Sequence, residues 1–180
     1  METSFINWFG AIVSRMTENS AYFPSVLIAQ GILESNYGRS RLSAIHHAYF
    51  GIKAGSQWKG KTVNLSTGEV INGNSVTITD DFRVYESPEQ SIKDRINWMM
   101  DFDRYNEVEE AKTPEAQAIA IQNAGYATDP NYANKIINII DSNNLKQFDK
   151  NRDIMKNISL AISILLLTAA ALTMYKTLKY

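Results

Sequence analysis

Apolar positions recur with helical spacing over most of the first 148 residues of this chain. Phe5, Ile6, Phe9, Ile12, Val13 and Met16 fall three or four apart and predict an amphipathic helix at the N-terminus. Pro24 stands at the first position of an apolar run that reaches Tyr37, and Gly38 is expected to cap its end. Ser87-Pro88-Glu89-Gln90 reads as a capping box, with Ile92, Ile96 and Met99 as the apolar stripe behind it. Thr113-Pro114-Glu115 opens another helix that Gly125 closes. Asp129-Pro130 opens a last one, expected to bury Ala133, Ile136, Ile137 and Ile140.

Residues 61–85 have a different texture. Val63, Leu65, Val70, Ile71, Val76, Ile78, Phe82 and Val84 are punctuated by Ser66-Thr67-Gly68 and Asn72-Gly73-Asn74. Asn-Gly between alternating residues is a strong hairpin signal, because both turn positions need a positive φ. The fold class expected is therefore α+β, mainly α, with one inserted β-hairpin. Near the C-terminus the pattern changes again. Residues 158–175 carry no charge and are almost wholly apolar. As a helix they reach roughly 27 Å, close to the hydrocarbon thickness of a bilayer. Lys156, Lys176 and Lys179 flank them, and Tyr175 and Tyr180 stand where interfacial aromatics belong. Ser159, Ser163, Thr168 and Thr173 do not forbid insertion, since their hydroxyls can bond back to helix carbonyls. The organisation expected is one domain over 1–148, a linker over 149–157, a single transmembrane helix over 158–175 and a short basic tail over 176–180.

Charge narrows the partners. Residues 149–180 hold five of the 18 basic residues and two of the 19 acidic ones, which leaves residues 1–148 at a net of −4. That balance argues against nucleic acid as a partner. The chain has no cysteine, so disulfides and thiolate metal sites are excluded, and its two histidines, His46 and His47, are adjacent. No metal and no cofactor is expected. The N-terminus lacks a basic n-region and reads as a helix rather than a secretion signal. The excess of Lys146, Lys150, Arg152 and Lys156 before the apolar stretch predicts that the N-terminal domain stays in the cytoplasm of the cell that makes it.

Phosphate-loop, Gly-x-Ser-x-Gly and His-Glu-x-x-His patterns are absent from the sequence. What remains are carboxylates and aromatic rings, the groups that handle carbohydrate. Glu34 is the leading acid. It follows Ile32-Leu33 near the end of an apolar helix, one turn above Gln30, where apolar neighbours would resist its ionisation. A glutamate on a helix is more often a solvated surface residue, and spacing alone does not separate the two readings.

Five blocks separate them. Ala29-Gln30-Gly31-Ile32-Leu33-Glu34-Ser35-Asn36-Tyr37-Gly38 resembles the Ala-Gln-x-x-Leu-Glu-Ser-x-x-Gly signature of lysozyme-like peptidoglycan hydrolases. Tyr49-Phe50-Gly51-Ile52-Lys53, Trp58-Lys59-Gly60, Phe82-Arg83-Val84-Tyr85-Glu86-Ser87 and Gly125-Tyr126-Ala127-Thr128-Asp129-Pro130-Asn131-Tyr132 are similar, in order, to blocks of glycoside hydrolase family 73. That family comprises β-N-acetylglucosaminidases of autolysins, flagellar-rod hydrolases and phage lysins. The resemblance covers residues 20–148 and implies a lysozyme-like fold. It places Glu34 at the family's general acid, Glu69 on the hairpin at a second acidic residue that positions water or steadies positive charge, and Tyr126 at a tyrosine near the acid. Asp80 and Asp81 compete with Glu69 for that second place. Gln30, Phe50, Trp58 and Tyr132 are carried over as substrate-binding residues.

The function implied is hydrolysis of the β-1,4 bond after N-acetylglucosamine in peptidoglycan glycan strands, with the enzyme held in a bilayer through residues 158–175. A lytic transglycosylase or muramidase on the same fold, needing only Glu34, is the first alternative, and a non-catalytic glycan-binding membrane protein the second. A wall hydrolase lacking an export signal is less odd in a virion membrane, beside virion proteins, than as a cellular autolysin. A bacterial cell envelope is the other location.

Overall fold

The computed structural model describes residues 1–18, 20–71, 74–150, 161–162, 164–165 and 167–168, with 67–71 and 74–78 described by their backbone. Helix α1 (Glu2–Thr17) and helix α2 (Pro24–Ser35) come first, followed by the short α3 (Arg41–His46). Strands β1 (Thr62–Ile71) and β2 (Asn74–Arg83) form the hairpin. Helices α4 (Pro88–Met100), α5 (Asn106–Glu110), α6 (Pro114–Asn123) and α7 (Tyr132–Ser142) complete the domain, with 3₁₀ turns at Asp103–Tyr105 and Leu145–Phe148.

The core is built around α2. Every residue from Pro24 to Ile32 is buried, so this helix is enclosed on all sides over two turns. It packs on Phe9 and Val13 of α1, Ile121 of α6, and Ile136 and Ile140 of α7. The crossing with α1 is close because residue 31 is glycine: a Cβ there would lie 2.4 Å from Cε1 of Phe9. Phe9 in turn packs against Tyr49 with ring centroids 4.8 Å apart.

Local signals placed most helix starts. The Ser87 hydroxyl accepts the Gln90 N–H, and the Thr113 hydroxyl accepts the Ala116 N–H, each behind a proline at the first turn. The Gln90 side chain reaches back to the N–H of Glu86, one residue before the N-cap. Helix α2 ends earlier than expected. Asn36 and Tyr37 already take the left-handed conformation, and Gly38 follows them at φ 74°. The Ser35 hydroxyl secures this turn by accepting the Gly38 N–H at 2.8 Å. Helix α7 starts at Tyr132, after the Asp129 carboxylate has accepted the Asn131 N–H.

The hairpin pairs antiparallel from Thr62 opposite Arg83 to Ile71 opposite Asn74, the register expected around Asn72-Gly73. Its base is tied to the segment after Phe50. Ala54 N–H donates to the Asp81 carbonyl at 2.7 Å and Arg83 N–H to the Ile52 carbonyl at 3.0 Å.

The domain extends past the expected boundary at 148. Leu145 is fully buried, and Asp149, read from sequence as the first linker residue, is only 6% exposed. One Asp149 oxygen accepts the Ser25 N–H at 2.8 Å and the other the Ser25 hydroxyl at 2.7 Å. The expected membrane span over 158–175 falls mostly outside the described residues. Among those described, no helix is long and apolar enough to cross a membrane. Residues 161–162, 164–165 and 167–168 are helical, and the Thr168 hydroxyl donates to the Leu165 carbonyl at 2.8 Å.

Candidate active site

Glu34 stands on the last turn of α2, where the helix leaves the core and meets a groove of about 460 Å³. Phe50, Ile52, Lys53, Trp98, Tyr126 and Asp129 line this groove with it. Glu34 is exposed toward the groove, but protein crowds the carboxyl from behind. That loss of water raises its pKa; the Tyr132 hydrogen bond and the Arg95 charge oppose the rise without cancelling it.

Three buried side chains support the acid in series. Tyr132 donates its hydroxyl to Glu34 Oε1 at 3.1 Å. Gln30 Nε2 donates to the Tyr132 oxygen at 2.9 Å. Arg95 Nη2 donates to Gln30 Oε1 at 3.0 Å. Burial, reinforced by Tyr126 and Glu34, keeps the Tyr132 phenol well above its ordinary pKa, so it remains a neutral donor at physiological pH. Arg95 has no exposed surface, and its guanidinium carbon lies 4.5 Å from the Tyr126 ring centroid. A desolvated contact of this kind is worth about 2 kcal/mol and helps hold a cation in the core.

Tyr126 is half-buried with its hydroxyl end enclosed, and burial pushes its pKa up to about 12. It donates weakly to the Phe50 carbonyl at 3.4 Å and meets Trp98 edge-on at 6.2 Å. At the hairpin base, the Lys53 ammonium lies 3.1 Å from Asp80, whose pKa it lowers. Asp129 is likewise held low by Lys135. The groove thus presents one carboxyl biased toward its acid form, while the Asp129 carboxylate in the same lining is held by its ion pair with Lys135.

The structure therefore sorts the residues that sequence put forward. Glu34, Phe50 and Tyr126 come together on the groove. Gln30 has no exposed surface and both ends of its amide are engaged, so it supports the acid from behind and has no face left for substrate. Tyr132, 3% exposed, is likewise a support rather than a wall. Trp58 lines a separate groove with Lys61, Lys93 and Asp94, away from Glu34. Its indole N–H donates to the Lys61 carbonyl and Arg83 covers the ring at 4.6 Å, which leaves it structurally committed. The Glu69 side chain lies outside the described residues, and its backbone pairs with Val76. Asp81 accepts a hydrogen bond from Asn64. Sequence reasoning missed Trp98 and Arg95.

A helical domain with one hairpin lobe, and a crowded glutamic acid at the end of its central helix facing a groove, is the architecture of the lysozyme-like fold. The sequence profile of the Glucosaminidase family, described as mannosyl-glycoprotein endo-beta-N-acetylglucosaminidase, matches residues 10–145, and the chain belongs to that family. It is 34% identical over 165 residues, 89% of its length, to the exo-glucosaminidase LytG of Bacillus subtilis. It is 39% identical over 153 residues, 81% of its length, to a probable N-acetylmuramidase of Lactococcus lactis. These matches span 58% and 34% of the two relatives. The catalytic domain of the Listeria monocytogenes autolysin Auto superposes with a TM-score of 0.72 at 34% identity, covering 82% of this chain and 87% of that one.

Proposed function

We propose that this chain is a peptidoglycan hydrolase that cleaves the β-1,4 bond after N-acetylglucosamine, with Glu34 as the general acid. One observation carries the reading: among the described residues, the carboxyl with the raised pKa is also one that opens onto the aromatic-lined groove. Glu34 gives its proton to the glycosidic oxygen as the bond to the sugar's anomeric carbon breaks, and positive charge builds on the ring. Tyr126 and Trp98 offer ring edges and faces against which an N-acetyl sugar can lie, and Tyr126 stays a neutral hydrogen-bonding group. Water completes hydrolysis, oriented by a carboxylate such as Glu69, or the substrate's own acetamido oxygen first bonds to the anomeric carbon as the glycosidic bond breaks and water then opens that ring.

Incubation of the chain with purified sacculi, followed by mass spectrometry of the fragments, tests this. Reducing-end N-acetylglucosamine supports it. Reducing-end N-acetylmuramic acid, the product suggested by the name of the Lactococcus relative, or 1,6-anhydromuramic ends would move the cut to the neighbouring bond. The uncharged stretch 158–175 supports anchoring of the domain in a bilayer, that of a virion or of a bacterial envelope. Retention in the membrane fraction after an alkaline carbonate wash tests the anchor, and recovery of the chain in purified particles distinguishes the two membranes.

A further inference from the structure

The bonds behind Glu34 have a direction that chemistry alone imposes. A guanidinium has only donors, so the Gln30 atom facing Arg95 is the carbonyl oxygen Oε1. The amide nitrogen then faces Tyr132 and donates to its oxygen. Tyr132 has a single hydroxyl proton, and with its oxygen already accepting, that proton goes to Glu34 Oε1. The three bonds thus run in one sense, from Arg95 to Glu34.

We propose that Arg95 is a positioning residue which, through Gln30 and Tyr132, keeps Glu34 Oε1 an acceptor and so assigns the transferable proton to Oε2. The inference rests on Glu34 being the general acid. During the step the Oε2–H bond breaks and a new O–H bond forms on the leaving glycosidic oxygen, which also takes the electron pair of the cleaved C–O bond. The negative charge left on Glu34 is met by the Tyr132 hydroxyl, already oriented, and by the nearby Arg95 cation. Both interactions strengthen as charge develops, which is the condition for lowering a barrier rather than merely binding substrate.

Other charged and titratable groups face Glu34 from the surrounding segments. Tyr126 and Asp129 come from the loop before α7, and Lys53 from the segment after Phe50. Lys53 and Asp129 each have a charged partner of their own, Asp80 and Lys135. The arginine that acts on the acid's titration is Arg95 of α4.

The test is the pH profile of reducing-sugar release from purified sacculi by the full chain, with the Glu34 carboxyl titrated in parallel by carbon-13 NMR. In Gln30→Glu the new carboxylate pairs with Arg95, preserving the fold, but offers the Tyr132 hydroxyl a competing acceptor. Glu34 then loses its donor and much of the Arg95 charge. The expected result is an alkaline limb moved up by about one pH unit and a rate roughly tenfold lower at the optimum. Tyr132→Phe, which deletes only the hydroxyl, carries the same expected shift should Gln30→Glu fail to fold. Arg95→Lys, which keeps a charge and a donor, should move the limb less than Arg95→Met. An alkaline limb and a Glu34 titration that overlie the parent in the folded variants overturn the proposal. Glu34→Gln separates the two failures: an active Glu34→Gln removes the acid itself, whereas an inactive one with unmoved limbs elsewhere removes only the relay.

Discussion

Asp149 gives the sharpest test of how the site helix is held. Helix α2 starts at Pro24 behind Phe23, which has no side chain to cap it. Its first turn is satisfied instead by the Asp149 carboxylate, which takes both the N–H and the hydroxyl of the fully buried Ser25. Asp149→Ala leaves both Ser25 donors buried without this acceptor and removes a negative charge from a helix N-terminus. A hydrogen bond to a charged group is worth about 1.5–3 kcal/mol, and the helix-end interaction about 0.3–1 kcal/mol. Such terms do not add fully, because the cavity relaxes and admits water; a net loss of about 3 kcal/mol is expected. For a domain of this size 1 kcal/mol moves Tm by about 2–4 °C, so the midpoint should fall by roughly 9 °C. Asp149→Asn keeps an acceptor for the Ser25 N–H and should cost about 1 kcal/mol. Thermal unfolding of the full chain, followed by far-ultraviolet circular dichroism, measures both. An alanine variant within about 2 °C of the parent would refute the assignment of Asp149 as the cap.

Three further outcomes follow from the same geometry. Glu34→Gln should abolish digestion of sacculi while preserving the circular dichroism spectrum, since the glutamine oxygen can still accept from Tyr132. The same variant carries a sign for stability. Burial raises the folded-state pKa of Glu34, so its favourable contribution is complete below the unfolded pKa and is lost as pH rises through the folded one. Glu34→Gln should therefore raise Tm relative to the parent more at pH 8 than at pH 4, and calorimetry at the two values checks it. Gly31→Ala drives a methyl into Phe9 at the crossing of α1 and α2 and should cost about 2 kcal/mol, read from urea unfolding.

The helices and the hairpin were legible because their signals are local. A proline behind a serine or threonine, or an Asn-Gly between alternating residues, states its conformation within four positions. The start of α2 was legible as a start, but its cap was not, since Asp149 lies 124 residues away in sequence and no local window joins it to Ser25. The end of α2 was misplaced because Asn36 and Tyr37 accept the left-handed conformation that glycine was expected to supply. At the site, sequence brought the right residues near Glu34 without distinguishing those that face the groove from those that stand behind it. Gln30 precedes Glu34 by one helical turn, which fixes the side of α2 it lies on but not whether a neighbouring helix covers it. Arg95 had a readable signal. It falls three positions after Ile92 and four before Met99, on the buried face of α4, where an unpaired charge would be costly.

The enclosure of α2 has a consequence for how the protein fails. Loops that carry catalytic groups melt early in many proteins, leaving an inert but folded body. Here Glu34 stands on the last turn of the helix whose residues Pro24 to Ile32 are all buried, so the amide protons of that stretch are expected to exchange with solvent through whole-molecule opening rather than local fraying. Loss of turnover on heating and collapse of the tertiary structure should therefore be one event.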